Sequence, residues 1–243
     1  MTRFFVDSEE MRAESIILKG ENAAHAKVLR LKKGEHILVC DGQGSETVCS
    51  VMDISADQVH LQVEDRRDCV TEASVKVSIY MAFPKADKLE HVIQKATELG
   101  AYEIVAFPSD RCISKPDKKS LSKKVVRWQK IAASAAEQSG RGRIPQIVVL
   151  DSYLDAIQRA GEADLAILFY ENEHATTLRM ALESGKYKTI SLLSGPEGGL
   201  EEKEVALAKE LGLQICTLGS RILRCETAPL CALSAVMYHF GEF

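Results

Sequence analysis

The sequence has 243 residues, of which 46% are hydrophobic and 27% are charged. This is the composition of a globular protein, and it excludes a disordered chain or a collagen-like fibre. Lysine and arginine number 31 against 35 aspartate and glutamate residues, so the formal net charge is −4. That balance excludes a uniformly basic coat for nucleic acid but leaves room for a local basic patch.

The seven cysteines form no C-x-x-C pair. An odd number of cysteines without such a pair is typical of reduced thiols in a cytosol rather than of a disulfide framework. The N-terminus turns acidic at Asp7, before any apolar signal region, and the longest apolar stretch, around 230–238, is far too short to cross a bilayer. We therefore expect a cytoplasmic protein without a membrane segment.

The first 65 or so residues predict a small β-rich unit. Short segments rich in Ile and Val are separated by turn signals at Gly34 and at Gly42 and Gly44. One helix is expected at 22–30, with Asn22 as its N-cap. Short strands at this spacing favour a closed or half-closed β-barrel. The predicted strands are 14–18, 35–40, 47–54 and 58–64.

A charged stretch at 64–68 separates this unit from the rest, and we place the boundary near residue 70, giving domains 1–70 and 71–243. Beyond Val75, apolar segments alternate with amphipathic ones, which indicates a largely parallel sheet covered by helices on both faces. The predicted strands are 75–83, 104–107, 147–150, 165–170, 190–194 and 215–218, and the predicted helices are 86–99, 119–139, 152–160, 174–184, 200–211 and 227–240.

The predicted helix 86–99 carries two distinct faces. Apolar residues recur at helical spacing and form a face for burial, and Gly100 supplies the stop. Lys88, His91 and Lys95 fall together on another face. A stripe of this kind is either a solvated helix surface or a contact for a polyanion, and the pattern alone favours the solvated surface.

A glycine-rich turn follows the predicted strand 190–194, with the sequence Gly-Pro-Glu-Gly-Gly-Leu at 195–200. The loops that follow parallel strands are where α/β sheets bind ligands, and glycine lets a ligand approach the main chain closely. The same pattern also fits a plain strand-to-helix turn. Neither G-x-x-x-x-G-K-[ST] nor a strand followed by G-x-G-x-x-G occurs, which removes the signatures of P-loop NTPases and common Rossmann enzymes.

A second loop, at 218–230, carries Arg221, Arg224 and Glu226 beside the apolar pair Ile222 and Leu223. These charges form either a surface ion network or the polar groups of an apolar pocket wall. An apolar helix begins near Thr227, which we predict as its N-cap.

The stretch 115–130 has seven basic residues against one acidic residue, a local charge of +6 in a chain of net charge −4. Such a patch favours binding to phosphates, the alternative being a solvated basic helix. The six histidines show no metal-ligand spacing with one another or with cysteine, so we expect no metal site.

Residues 195–200 followed by 218–227 closely resemble the second and third knot motifs of SPOUT methyltransferases, and more narrowly those of the RsmE family of 16S ribosomal RNA uridine-N3 methyltransferases. The resemblance spans nearly the whole chain; further matching segments are 3–5, 28–31, 93–100, 110–112, 128–132 and 137–145. Two departures are mild: Asp110 stands where glutamate is common, and Ser194 stands where an aliphatic residue often precedes the glycines.

The resemblance implies an α/β fold with a small N-terminal PUA-like β-barrel, which binds RNA, and a SPOUT-type parallel sheet whose C-terminal chain threads a trefoil knot. It further implies S-adenosylmethionine bound in the knot, a homodimer, and 16S ribosomal RNA as partner, free or within the small ribosomal subunit. The implied cofactor-binding residues are Leu168, Phe169, Tyr170, Gly195, Glu197, Gly198, Leu218, Gly219, Ile222, Leu223, Arg224, Thr227 and Ala228. The RNA-binding candidates, from the resemblance and from local charge, are Arg3, Arg30, Lys85, Lys88, Lys95, Arg111, Lys115, Lys119 and Arg141.

Methylation of uridine N3 requires the base to be unpaired or flipped, and the imide nitrogen to lose its proton. Arg224, or an arginine of a partner chain, is the candidate for stabilising the uracil anion. Glu197 is the candidate orienting or proton-accepting carboxylate, and a purely structural hydrogen bond at Glu197 is the alternative. Two other functions stay open: a SPOUT enzyme that methylates a ribose 2′-hydroxyl or another base, and a non-catalytic RNA-binding ribosome assembly factor.

Overall fold

A computed structural model describes residues 1–114 and 116–243, without the side chain of Lys118. The chain forms two units. The N-terminal unit comprises Met1–Glu72 and Ala136–Ile144, and the C-terminal unit comprises Ala73–Ala135 and Pro145–Phe243. The N-terminal unit thus includes Ala136–Ile144, a segment from within the range 71–243 predicted for the second domain.

The N-terminal unit is a five-stranded sheet with one α-helix. The strand order is β1-β3-β4-β5-β2, antiparallel except for the β1–β3 pair. Two register shifts interrupt the long β4–β5 ladder, and such bulges bend and twist a sheet. The elements are β1 (Arg3–Phe5), a 3₁₀ turn (Glu10–Arg12), β2 (Ser15–Lys19), α1 (Gly20–Val28), β3 (His36–Cys40), β4 (Ser45–Ile54) and β5 (Gln58–Asp68).

Two local predictions in this unit were wrong. The charged stretch 64–68 is the end of β5: its five side chains are exposed, and its backbone pairs with β4. The N-cap of α1 is Lys19 rather than Asn22. Gly20, at φ +57°, turns the chain into the helix, and the Asn22 amide instead donates to the carbonyl of Phe5 at 2.7 Å.

The segment Ala136–Ile144 joins the N-terminal unit through Glu72. One Glu72 oxygen accepts hydrogen bonds from the backbone amides of Gly142 and Arg143, both at 3.0 Å, and the other lies 2.6 Å from the guanidinium of Arg141. Gly142 packs so closely on Cys69 that a Cβ atom there would lie 2.5 Å from the Cys69 Cβ. The contacts of Glu72 and Cys69 therefore attach residues from much later in the chain to the N-terminal unit.

The C-terminal unit is a parallel six-stranded sheet with the strand order β11-β9-β10-β6-β7-β8. The predicted parallel sheet is thus confirmed. Strands β6, β7, β9 and β10 are almost entirely buried, as expected for a sheet covered on both faces. The strands are β6 (Lys76–Ala82), β7 (Glu103–Phe107), β8 (Gln146–Val149), β9 (Leu165–Phe169), β10 (Thr189–Ser194) and β11 (Gln214–Cys216); the helices are α2 (Lys88–Glu98), α3 (Lys118–Ser139), α4 (Tyr153–Ala160), α5 (Leu178–Glu183), α6 (Glu202–Glu210) and α7 (Thr227–His239).

The start of α5 and the N-cap of α7 differ from the prediction. Helix α5 begins at Leu178, four residues later than expected, because the Glu173 carboxylate accepts from the amides of Ala175 and Thr176 and folds that segment as a turn. Thr227 is the first residue of α7, and Glu226 is its N-cap. Across the described residues, no helix combines the length and the apolarity needed to cross a bilayer.

Candidate active site at the carboxyl edge of the parallel sheet

The candidate site lies in the C-terminal unit, where the carboxyl ends of neighbouring parallel strands meet. Strands β11, β9, β10 and β6 are consecutive neighbours in the sheet. The segments that leave them are the arginine loop (217–226, after β11), residues 170–177 (after β9), the glycine turn (195–201, after β10) and residues 83–87 (after β6). Open α/β sheets bind ligands at such an edge.

The glycine turn depends on two glycines for its shape. Gly199 has φ +69°, a conformation that favours glycine, and its amide donates to the carbonyl of Pro196 at 2.9 Å. At Gly195 an added Cβ would lie 3.0 Å from Leu200 Cγ and 3.1 Å from the carbonyl carbon of Gly199. Larger residues at either position would therefore distort the turn.

Polar contacts fix the turn to neighbouring elements. Arg111 forms an ion pair with Glu201 at 2.8 Å and donates to the carbonyl of Gly198 at 2.9 Å. The Glu204 carboxylate accepts from the amides of Glu201, at 2.8 Å, and Asp110, at 3.0 Å. The hydrogen bond from Arg111 lowers the pKa of Glu201, so this carboxylate is ionised at neutral pH.

The arginine loop is held at its ends. Thr217 bridges to the segment before α5, since its amide donates to Thr176 and its carbonyl accepts from Leu178. At the other end the Arg224 carbonyl accepts from Thr227 at 2.8 Å. Within the chain as described, no hydrogen bond or ion pair involves the side chains at 220–224, and Ile222 is 86% exposed. The middle of the loop thus presents apolar and cationic side chains to solvent.

One ammonium group joins the two loops. Lys88 Nζ, at the start of α2, lies 3.0 Å from Glu197 Oε1 in the glycine turn and 3.1 Å from Glu226 Oε2 at the N-cap of α7. The same nitrogen lies 3.7 Å from Cys225 Sγ, and the amide of Lys85 donates to Glu197 Oε1 at 3.0 Å. We call Lys88, Glu197, Cys225 and Glu226 the lysine cluster.

The electrostatics of the lysine cluster favour full charge on each partner. Partial burial works to raise the pKa of Glu197, but hydrogen bonds from its own amide, from Lys88 and from Lys85 outweigh it and leave the pKa below its ordinary 4.5. The same balance lowers the pKa of Glu226. Hydrogen bonding to Glu197 raises the pKa of Lys88. Burial raises the pKa of the Cys225 thiol to about 12, so this group stays protonated.

The structure brings most of the expected cofactor-binding residues to this edge. Tyr170 is half-buried at the end of β9, and Leu168 and Phe169 are buried within that strand. The Leu168 side chain is fully buried in this structure, and its place in the donor site stays a prediction. The other expected cofactor-binding residues are at least partly exposed; they are Gly195, Glu197, Gly198, Leu218, Gly219, Ile222, Leu223, Arg224, Thr227 and Ala228.

For two of the RNA-binding candidates the structure corrects the expectation. Arg3 is 8% exposed and pairs with the buried Glu46 at 3.1 Å, and Arg141 is 4% exposed and pairs with Glu72. A buried guanidinium group that is paired with a carboxylate is not accessible to a phosphate of RNA. Both therefore stabilise the N-terminal unit.

The other RNA-binding candidates are distributed between exposed and paired positions. Arg30, Lys85 and Lys119 are exposed. Lys95 pairs with Glu98 at 2.8 Å. Lys88 and Arg111 belong to the lysine cluster and the glycine turn, as described above, and Lys115 lies outside the described residues.

Sequence reasoning missed the structural roles of Lys88, Arg111 and Cys225. Lys88 lies in the charge stripe of helix α2, and nothing in its local pattern separates it from Lys95. One signal is visible only in the structure: Ala86, two residues before Lys88, has φ +55°. Non-glycine residues held in this region cluster at functional sites. Among the described residues, no group of three or more His, Cys, Asp or Glu side chains is arranged to hold a metal.

Comparison with known proteins gives consistent matches along the chain. A family described as RNA methyltransferase domain matches residues 71–237, and one described as RNA methyltransferase PUA domain matches residues 18–64. Ribosomal RNA small subunit methyltransferase E of Bacillus subtilis is 38% identical, with 98% of this chain and 96% of the relative covered. The protein of that name from Mycobacterium bovis is 32% identical, with 96% and 90% covered.

A solved structure extends the likeness to the fold. The ribosomal RNA small subunit methyltransferase E from Neisseria gonorrhoeae, bound to S-adenosyl methionine, superposes with a TM-score of 0.86 at 28% identity. The superposition covers 98% of each chain. A likeness of this extent includes both units.

Proposed function

This chain belongs to the ribosomal RNA small subunit methyltransferase E family, and we propose that it transfers a methyl group from S-adenosylmethionine to N3 of a specific uridine in 16S ribosomal RNA. Membership makes it an RNA methyltransferase with a PUA-like N-terminal unit. The observation that carries the proposal is the meeting of the glycine turn and the arginine loop at the carboxyl edge of β9, β10 and β11.

The residues at this edge fit the methyl donor. Gly219, at φ +108°, has open space where a Cβ would lie, and the exposed Ile222 offers an apolar surface for an adenine or a ribose. Gly195 and Gly198 are at least partly exposed and have no side chain, so a ligand can approach their main chain closely. When bound, S-adenosylmethionine supplies an electrophilic methyl group on a sulfonium centre. The role of the chain is to hold that group in line with the accepting nitrogen and to exclude water.

Arg224 supports the choice of a uracil nitrogen as acceptor. N3 of uracil becomes a good nucleophile only after it loses its proton, and the resulting anion needs a nearby cation. Arg224 is exposed in the arginine loop, and none of the described carboxylates lies within ion-pair distance of it. An unpaired guanidinium beside the donor site can stabilise the flipped base as it ionises.

Glu197 is better suited to orienting groups than to accepting a proton. Its pKa is lowered and its Oε1 already accepts from Lys88 and Lys85. A carboxylate stabilised in this way is a weak base at neutral pH. We therefore propose that Glu197 fixes the glycine turn and is not the group that takes the proton from N3.

The surface of α3 supports an RNA substrate. Lys119, Lys123 and Arg127 are exposed on this helix, and Lys124 is half-buried. Such a surface binds phosphates with an affinity that falls steeply as salt concentration rises. We propose that the RNA substrate is either free or part of the small subunit, and that the protein acts in the cytoplasm.

The exposed side of α7 supports the expected homodimer. Thr227, Cys231, Ala235 and Tyr238 recur at helical spacing and are all exposed, and Tyr238 is 77% exposed. A second copy of this chain could cover this small-residue and aromatic face, and could contribute the partner arginine considered for catalysis. The trefoil knot remains a prediction from the family resemblance. Sedimentation at micromolar concentration tests the dimer directly.

Nucleoside mass spectrometry tests the proposed reaction. The purified protein is incubated with S-adenosylmethionine and either 16S ribosomal RNA or small subunits from a strain that lacks it. We expect 3-methyluridine to form at one site. A 2′-O-methyl nucleoside or another methylated base would assign the alternative SPOUT reaction, and binding of both ligands without methylation would assign an assembly factor.

A further inference from the structure

We propose that Lys88 is a positioning residue for the methyl donor site, whose ammonium holds the glycine turn and the arginine loop at the spacing in which they bind S-adenosylmethionine. This inference rests on the proposed function and adds a role to a residue first assigned to RNA contact. It concerns donor binding by the free protein, before any RNA is present.

The geometry of the lysine cluster directs the Lys88 ammonium mainly at two carboxylates. An ammonium group has three hydrogens to donate and no acceptor. In the structure its neighbours are three: Glu197 Oε1 at 3.0 Å, Glu226 Oε2 at 3.1 Å and Cys225 Sγ at 3.7 Å. Two of its hydrogens are thus shared with carboxylates, and the third lies near a sulfur, which is a weak acceptor. Lys88 therefore acts through the two loops it joins rather than by touching RNA.

Charge explains why a cation is needed at this place. Glu197 and Glu226 are both ionised, and each has an oxygen within 3.1 Å of the same nitrogen. Without the ammonium, two carboxylates would face each other in a partly buried setting, where like charges repel. The loops would then separate, or one carboxylate would take up a proton. Either change alters the spacing of the donor site.

The turn before α2 is built to present Lys88. Ala86 sits at φ +55°, which is costly for a residue with a Cβ. On one side of it the Lys85 amide donates to Glu197 Oε1, and on the other side Lys88 reaches the same oxygen. The conformation of Ala86 thus allows the segment 85–88 to bind Glu197 both through a main-chain amide and through a side-chain ammonium group.

Calorimetric titration of S-adenosylmethionine into the free protein tests the proposal. The variants are Lys88→Met, Lys88→Arg and the double variant Lys88→Met/Glu226→Gln. Lys95→Met is the matched control, because it removes a lysine from the same helix that pairs with Glu98 at 2.8 Å and contacts neither loop. Thermal unfolding of each ligand-free variant reports whether it folds.

We expect Lys88→Met to weaken donor binding about 30-fold, the scale of a lost charge-assisted contact. Lys88→Arg should stay within about fivefold of wild type, and Lys95→Met within about twofold. The double variant should bind about fivefold or more tighter than Lys88→Met, because removing one carboxylate charge relieves the repulsion. A role in packing alone would not produce this rescue.

Wild-type affinity in a folded Lys88→Met variant would overturn the inference and leave the proposed function intact. So would a double variant that binds no more tightly than the single one. If Lys88→Met does not fold, the double variant decides: it folds and binds if repulsion is the cause, and fails if it is not. A wild-type protein that does not bind S-adenosylmethionine would overturn both proposals.

Discussion

The glycine turn and the arginine loop face the same edge of the sheet, yet their polar groups are satisfied differently. The turn is held along its length, by Arg111 at Gly198 and Glu201 and by the Lys85 amide at Glu197. The arginine loop is held at its ends, with Ile222 exposed between them. One loop is shaped by the protein before any ligand arrives, and the other keeps its contact-forming side chains free.

This difference predicts two classes of mutant. A substitution that removes a contact of the turn should lower the stability of the free protein as well as the affinity for the donor. A substitution in the middle of the loop should leave the free protein unchanged and affect only binding or methyl transfer. The four predictions below test this division.

The largest effect is expected at Arg224. Arg224→Ala should slow single-turnover methyl transfer about 100-fold, because it removes the cation proposed to stabilise the uracil anion. The melting temperature should not change, since no described ion pair is lost. Arg221→Ala is the control, an exposed arginine in the same loop without an assigned role. Equal losses in the two variants would remove Arg224 from the chemistry.

The next largest effect is expected at Ile222. Ile222→Ser should weaken S-adenosylmethionine binding about tenfold, because serine offers less apolar surface to the ligand that we propose covers Ile222. The melting temperature of the free protein should stay constant, since the side chain is 86% exposed. Ile113→Ser, at a position 73% exposed elsewhere in the unit, should change neither quantity. If Ile222→Ser binds S-adenosylmethionine with the affinity of wild type, the methyl donor does not contact Ile222.

A smaller effect on affinity, with an added loss of stability, is expected at Arg111. Arg111→Met removes the ion pair to Glu201 and the hydrogen bond to the Gly198 carbonyl. We expect about fivefold weaker donor binding and a lower melting temperature. Arg179→Met is the control, because Arg179 pairs with Glu183 at 3.9 Å on an exposed helix surface. If both variants melt alike, the turn is not held in the way described.

The smallest effect concerns pH. The pKa of Glu197 lies below its ordinary 4.5, so its ionisation stabilises the folded protein fully above about pH 4.5. This contribution is lost as pH falls through the folded-state pKa. Glu197→Gln should therefore show a shallower decline of unfolding free energy below pH 4.5 than wild type. Urea unfolding between pH 3 and pH 7 measures it, and parallel curves would contradict the assignment.

The periodicity of the sequence was sufficient to predict most elements of the C-terminal unit. Continuous apolar strands and amphipathic helices are local patterns, and they survive in the structure with ends shifted by a few residues. The errors arose where a side chain competed with the expected pattern. Glu173 turned the chain before α5, and Asn22 bonded to Phe5 instead of capping α1. Such competition depends on residues that only the folded chain brings together.

The site was predictable as a set of loops but not as a set of contacts. The positions of the glycines and of Arg224 follow from short motifs. The partners of Lys88 lie in two segments far away in sequence, so its charge looked like that of Lys95 on the same helix. Arg3 and Arg141 show the opposite error, since arginines that look accessible in a sequence are buried against carboxylates.

The contribution of Ala136–Ile144 to the N-terminal unit affects the order in which this protein can fold. Chains emerge from the ribosome from the N-terminus onward, and domains generally fold as they become complete. Here the partners of Glu72 are translated long after the strands they support. A nascent chain that has passed residue 72 is therefore still unfinished as a folding unit. Arrest at that length should leave the first sheet more sensitive to protease than arrest beyond residue 144.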